Sequence, residues 1–119
     1  MTNMPLDVRA FQLACDQFSS KENAELYAEL IEEEFNEFKE ALLDEDDVKQ
    51  LDACIDMIWV ILGYCHMKKF KVSQAWDEVA KSNFAKVDKE TGKVIRREDG
   101  KILKPEGWKP PDLKEYVGQ

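Results

Sequence analysis

Two groups of acidic side chains sit where helical spacing would bring them together. The first is Glu33, Glu34 and Glu37 in LIEEEFNEFKEAL, residues 30–42; the second is Asp52 and Asp56 in LDACIDMIWVILGYC, residues 51–65. That second stretch is apolar around nearly every side except for its two aspartates, one helical turn apart. Carboxylates on such a surface are costly unless protonated, hydrogen-bonded, paired or holding a cation. An all-oxygen donor set selects hard ions over zinc, with Mg²⁺ the natural occupant and Mn²⁺ possible. A metal ion held there could in turn bridge protein carboxylates to a small polyphosphate.

These carboxylates need helices that face one another. At about 100° per residue, Tyr27, Leu30, Ile31, Phe38, Ala41 and Leu42 form one apolar stripe. Glu34 falls near its middle, Glu37 beside it and Glu33 at its edge, while Glu29, Glu32 and Glu40 point away. On the next helix Asp52 and Asp56 project onto one line with Val60 and Gly63. An antiparallel hairpin turning near Asp46 would set Glu34 and Glu37 opposite Asp52 and Asp56.

The remaining elements follow from period and caps. Val8, Phe11, Ala14, Cys15 and Phe18 recur at helical spacing between Pro5 and Phe18. A capping-box pattern at Ser19–Glu22 opens a long helix over about residues 23–43. Acids at 44–47 suit the start of a third helix that runs to about Lys68. A fourth spans about Ser73 to Ala85, with Ser73 as its N-cap. From about residue 87 the helical signal gives way to an extended tail, where Asp99-Gly100 between VIRRE and KIL predicts a small hairpin before KPEGWKPPDL. The expected fold is all-α: one domain over residues 1–119, a bundle of about four helices with an extended C-terminal tail. Helix three is apolar nearly all round, Ile55, Ile58, Ile61 and Leu62 included, so its core is expected to be completed by a homodimer or a dimer of dimers.

Composition narrows the function. With 17 Lys+Arg against 25 Asp+Glu the net charge is −8, which disfavours nucleic acid polymers, whose phosphates need neutralising by basic side chains. Residues 51–65 are shorter than the roughly 20 residues of a membrane span, and the N-terminus has no basic region followed by an apolar run. A cytoplasmic, membrane-free protein is expected. Cys15, Cys54 and Cys65 form no C-x-x-C pair and are expected as reduced core residues. A di-iron centre would want Glu-x-x-His pairs, whereas the lone His66 follows Gly63 at that spacing and is expected to be structural. Asn83 projects to the inner face of helix four with Trp76, Val79 and Ala80, where its amide needs a partner.

The run LIEEEFNEF, then DACIDMIWVILG, EVAKSNFAKV and DGKILKPEGWKPPDL, resembles the MazG-like all-α nucleoside triphosphate pyrophosphohydrolases, most of all their phosphoribosyl-ATP pyrophosphohydrolase-like branch. Glu33, Glu34 and Glu37 meet the first motif of that group. The second departs from it: where many members have Glu-x-x-Asp, Ala53 stands three before Asp56 and the available acid is Asp52, four before it. The resemblance implies cleavage between the α and β phosphates of a nucleotide to give monophosphate and pyrophosphate. It further implies that Glu34, Glu37, Asp52 and Asp56 hold metal, that Glu33 serves the attacking water, and that Asn83, Lys86 and Lys104 contact nucleotide or phosphate. Trp108 could cover a base or pack the tail. The other reading is a non-catalytic helical dimer that binds nucleotide or a protein partner, for which Ala53 is the argument.

Overall fold

A computed structural model describes residues 1–118. The order is α1 (Met4–Ala14), α2 (Lys21–Leu43), α3 (Asp47–Met67), α4 (Val72–Phe84) and a 3₁₀ turn at Lys114–Tyr116. The fold is all-α, and the described residues divide into two compact units: residues 1–72 with 117–118, and residues 73–116.

In the first unit α2 and α3 form the expected antiparallel hairpin. Three residues link them, and Asp46 caps α3 by accepting the Lys49 N–H at 3.1 Å. Ser20 caps α2 through the Asn23 N–H, 3.0 Å. The Asn23 side-chain amide donates to the Phe18 carbonyl at 2.7 Å, and the expected Ser19–Glu22 capping box is displaced by one residue, since the Ser19 hydroxyl donates to the Met67 carbonyl and leaves the cap to Ser20.

Three helices end in the same way. After α1 the N–H groups of Asp16 and Gln17 bond back to Leu13 and Gln12; after α2 those of Glu45 and Asp46 reach Leu42 and Ala41; after α3 those of Lys69 and Phe70 reach His66 and Cys65. This is the Schellman pattern, which turns on one left-handed residue. Here that residue is never glycine: Asp16 has φ 56°, Glu45 51° and Lys69 60°. The motif stops α1 at Ala14, so the helix expected to reach Phe18 is shorter by about a turn.

The α2–α3 seam alternates steps of three and four residues. On α2 it runs through Ala24, Tyr27, Ile31, Glu34, Phe38 and Ala41, and on α3 through Ala53, Asp56, Val60, Gly63 and Met67, all buried or half-buried. Tyr27, Val60 and Met67 anchor its core, with Leu30, Ile31 and Tyr64 packed against them. Gly63 lets the helices close, because a Cβ there would lie 2.3 Å from Tyr27 Cε1. α1 lies on α3 through an edge-on contact of Phe11 with Trp59 (centroids 5.8 Å apart) and through Gln12, and its Val8 is buried. Gln12 is fully buried: its Nε2–H donates to the Gly63 carbonyl at 3.1 Å, so its Oε1 faces His66 Nδ1, 3.2 Å away, as acceptor. His66 is thus a structural residue, as expected. The cysteines are free, but Cys15 is exposed, beyond the end of the shortened α1.

α4 begins at Val72, the residue before the second unit, so Ser73 lies inside the helix and is not its N-cap. Beyond α4 two antiparallel bridges form, Val87 with Val94 and Arg96 with Ile102. The second closes the expected hairpin: Arg97 N–H donates to the Lys101 carbonyl and Leu103 N–H to that of Ile95, both at 2.8 Å. Gly100 supplies the positive φ of 90° at the end of its three-residue loop. None of the described helices is long and apolar enough to cross a membrane.

Candidate metal and phosphate sites

Antiparallel pairing of the seam fixes which residues meet. Seven residues along α2 from Tyr27 lies Glu34; seven residues back along α3 from Gly63 lies Asp56. The layer that packs Tyr27 on Gly63 is therefore followed, two turns on, by one that sets Glu34 against Asp56, with Glu37 on the next turn of α2. One carboxylate oxygen from each of Glu34, Glu37 and Asp56 lies within 4.8 Å of the other two. Glu34 and Asp56 are half-buried and Glu37 is exposed.

The electrostatics are those of acids forced together. Burial, then the adjoining Glu37 carboxyl, then Asp56 and Asp52, push the Glu34 carboxyl up to about 7. Burial first, with the Asp52 and Glu37 charges behind it, also raises Asp56. Glu34 Oε2 is shielded from solvent and has no hydrogen-bond partner. A shielded, unpartnered oxygen on a carboxylate grouped with two others fits a hard divalent cation, which would satisfy it and relieve the repulsion.

Asp52 and Glu33 stand differently. The seam steps back from Asp56 to the buried Ala53, leaving Asp52 exposed, so the expectation of two aspartates together on the inward-facing line holds only for Asp56. Asp52 still acts on the cluster through charge, and with Glu37 it lines a groove of about 290 Å³ between α2 and α3. Lys49, also in that groove, is paired with Asp44 at 3.4 Å. Glu33 is exposed one residue before Glu34 and is not among the grouped carboxylates. The outward direction expected for Glu29, Glu32 and Glu40 is observed.

In the second unit the three residues expected to meet substrate form a cluster of their own. Asn83 and Trp76 are exposed rather than turned to a buried face, and the Asn83 amide oxygen accepts from Lys86 Nζ at 3.1 Å. The ammonium groups of Lys86 and Lys104 lie over one indole, that of Trp108, 5.1 and 4.8 Å from its ring centroid. The ring is fixed by its Nε1–H, which donates to the Ser82 carbonyl at 2.7 Å. A turn from Pro105 to Trp108 aims it, closed by the Trp108 N–H on the Pro105 carbonyl, with Gly107 at φ 80° as a type II turn requires. Sequence reading passed over Trp108 as the scaffold for these lysines and missed Gln12, whose polarity among Val8, Phe11 and Cys15 was the available signal.

The sequence family described as phosphoribosyl-ATP pyrophosphohydrolase matches residues 12–83, more than half of the chain, from Gln12 in α1 to Asn83 in α4. No match is found among curated proteins.

Proposed function

This chain belongs to the phosphoribosyl-ATP pyrophosphohydrolase family, whose activity is nucleotide pyrophosphohydrolysis, and from that premise we propose that it is a magnesium-dependent enzyme cleaving a nucleoside triphosphate or a phosphoribosyl-ATP-like nucleotide to the monophosphate and pyrophosphate. The observation that carries the proposal is the convergence of Glu34, Glu37 and Asp56, with Glu34 Oε2 shielded and left without a hydrogen-bond partner.

Glu34, Glu37 and Asp56 would hold Mg²⁺, or Mn²⁺ in its place, with Asp52 adding negative charge from the rim. When bound, the ion supplies charge neutralisation for phosphate oxygens and a more acidic water. Glu33, exposed beside the cluster, orients the attacking water and accepts its proton, the role of a positioned general base. Asn83, Lys86 and Lys104 bind nucleotide phosphate. The stripe of exposed apolar residues on α3, Val48, Leu51, Ile55 and Ile58, supports a homodimer in which a second copy covers it.

The test is pyrophosphate release from a panel of ribo- and deoxynucleoside triphosphates and phosphoribosyl-ATP, with and without Mg²⁺, for the parent, Glu34→Gln and Asp56→Asn. Mg²⁺-dependent release that falls at least 100-fold in both variants is expected, since each substitution removes a charged metal ligand. Full turnover in either variant would remove the core of the proposal. No release from any substrate, with Mg²⁺ still bound, would turn the assignment to a non-catalytic nucleotide-binding dimer.

A further inference from the structure

We propose that Lys86, Lys104 and Trp108 form a preassembled anion clamp that binds the pyrophosphate moiety directly, without metal, Trp108 being the positioning residue that holds the two ammonium groups together. The idea rests on the reading above in which both lysines meet substrate phosphate, and adds which part of the substrate they hold and what organises them.

Both lysines approach one ring centroid to about 5 Å, which bounds the separation of their charges at about 10 Å. Lysines are flexible and strongly hydrated, and two of them on a chain of net charge −8 have acids enough to pair with. Yet neither takes part in an ion pair among the described residues; Lys86 donates to a neutral amide oxygen. The indole attracts each ammonium electrostatically without cancelling its charge. Held by the Ser82 carbonyl and the Pro105–Trp108 turn, the ring is a fixed platform that keeps both charges within about 10 Å of each other before any ligand arrives. Preorganised like charges without a counter-charge are suited to a compact polyanion, and a lysine ammonium meets phosphate oxygens through charge-assisted hydrogen bonds. The sequence separation matters too: Lys86 follows α4 while Lys104 and Trp108 come from beyond the hairpin. The tail is what completes the clamp.

The experiment is calorimetric titration of inorganic pyrophosphate into the full chain in excess EDTA, which leaves the carboxylate cluster without metal. Binding is expected for the parent and equally for Glu34→Gln. Lys86→Gln and Lys104→Gln should each weaken it about tenfold, and Trp108→Leu by at least as much with both lysines present. Trp108→Phe, which keeps an aromatic face but loses the bond to Ser82, should fall between parent and Trp108→Leu. Loss of Trp108 fluorescence change on titration, assigned with Trp108→Phe because Trp59 and Trp76 remain, reads the site independently of enthalpy. Unchanged affinity in Lys104→Gln, or in Trp108→Leu, would overturn the clamp, as would a requirement for Mg²⁺. If pyrophosphate binds as described while no nucleotide is cleaved, the hydrolase reading fails and the clamp stands; if cleavage is intact and metal-free pyrophosphate binding is absent, the reverse holds.

Discussion

Gly63→Ala should destabilise the protein and weaken metal binding two helical turns away. In a helix interior alanine is favoured over glycine by about 1 kcal/mol, so the substitution begins with a gain. Against it, the new methyl would sit 2.3 and 2.6 Å from Tyr27 Cε1 and Cδ1 and 2.9 Å from Gln12 Nε2, where carbon contacts are optimal at about 3.5–4.0 Å. Neither neighbour can step aside: the Tyr27 ring is 4% exposed with its hydroxyl donating to Gln17 Oε1 at 2.6 Å, and Gln12 is fully buried and bonded at both ends of its amide. The helices must part by about 1 Å, an overpacking cost of roughly 1–3 kcal/mol, and disturbing the Gln12 or Tyr27 hydrogen bond adds about 1 kcal/mol. The net loss is about 1–3 kcal/mol, a fall in Tm of roughly 4 °C for each kcal/mol in a chain of this size. Because the Glu34–Asp56 layer lies only about 10 Å along the same seam, at 1.5 Å per residue, parting α2 from α3 also spreads the carboxylates. Thermal melts with and without Mg²⁺, and Mg²⁺ titration at 25 °C, read both effects. Adding Tyr27→Leu should restore part of the loss, the non-additivity expected of residues in contact. A Gly63→Ala protein as stable as the parent would refute the close approach of Tyr27 as what sets the spacing of the hairpin.

Three further outcomes follow from the same geometry. Glu45→Gly should raise stability by about 1 kcal/mol in denaturant unfolding, because Glu45 holds φ 51° in the Schellman turn between α2 and α3 where a side chain is penalised; destabilisation would argue for another conformation there. In EDTA the parent should lose stability as pH rises from 5 to 8: the folded Glu34 carboxyl, pushed up to about 7 from an ordinary 4.5, retains a proton that the unfolded chain has already released, so its contribution is full below about 4.5 and lost through 7. Glu34→Gln should flatten that dependence, and a parent whose denaturation midpoint climbs over this range would contradict it. Ile55→Glu, placing a charge in the exposed apolar stripe of α3, should convert a particle of about twice 13.8 kDa in light scattering to one of 13.8 kDa; a parent already at 13.8 kDa at micromolar concentration would exclude the homodimer.

What could be read in advance was what is set locally or by helical period. The start of α3 declared itself by its acids at 44–47, the Asp99-Gly100 hairpin by its glycine, and Glu34, Glu37 and Asp56 by their place on an apolar stripe; the cap of α2 falls on Ser20, one residue past the Ser19 of the expected capping box, because the Ser19 hydroxyl donates to the Met67 carbonyl. Asp52 failed for a geometric reason: residues three and four before Asp56 lie almost symmetrically about it on a helix, so periodicity alone could not choose between Ala53 and Asp52. The partner helix chooses, and it takes Ala53. The end of α1 was missed because its left-handed residue is Asp16, with no glycine to mark it. Asn83 projected to a helix face that the second unit leaves exposed, and the meeting of Lys86 with Lys104 depends on the tail's return past Ser82, a tertiary event that neither local pattern encodes.

The placement of Glu34 and Asp56 is better explained by function than by tolerance. Seven residues from Glu34 toward the start of α2 the seam holds Tyr27 against Gly63, and seven toward its end it holds the buried Ala41, while Ala53 is buried one turn before Asp56. The acid layer is therefore bracketed by close-packed layers, which hold the two carboxyl groups near each other at a cost in desolvation and repulsion. The same helix shows the inexpensive alternative, since Glu29, Glu32 and Glu40 point into solvent. A leucine pair in the seam would have stabilised the hairpin outright. A fold that places ionisable groups there instead carries strain that a divalent cation would relieve, so occupancy and stability become linked: ligand at 100 times its Kd would return about 2.7 kcal/mol. On the proposed metal-dependent reading, that linkage accounts for carboxylates placed on two helices rather than on loops. The rigid hairpin would keep them together when no ion is present, and a bound ion would displace the proton that Glu34 retains and satisfy its shielded Oε2.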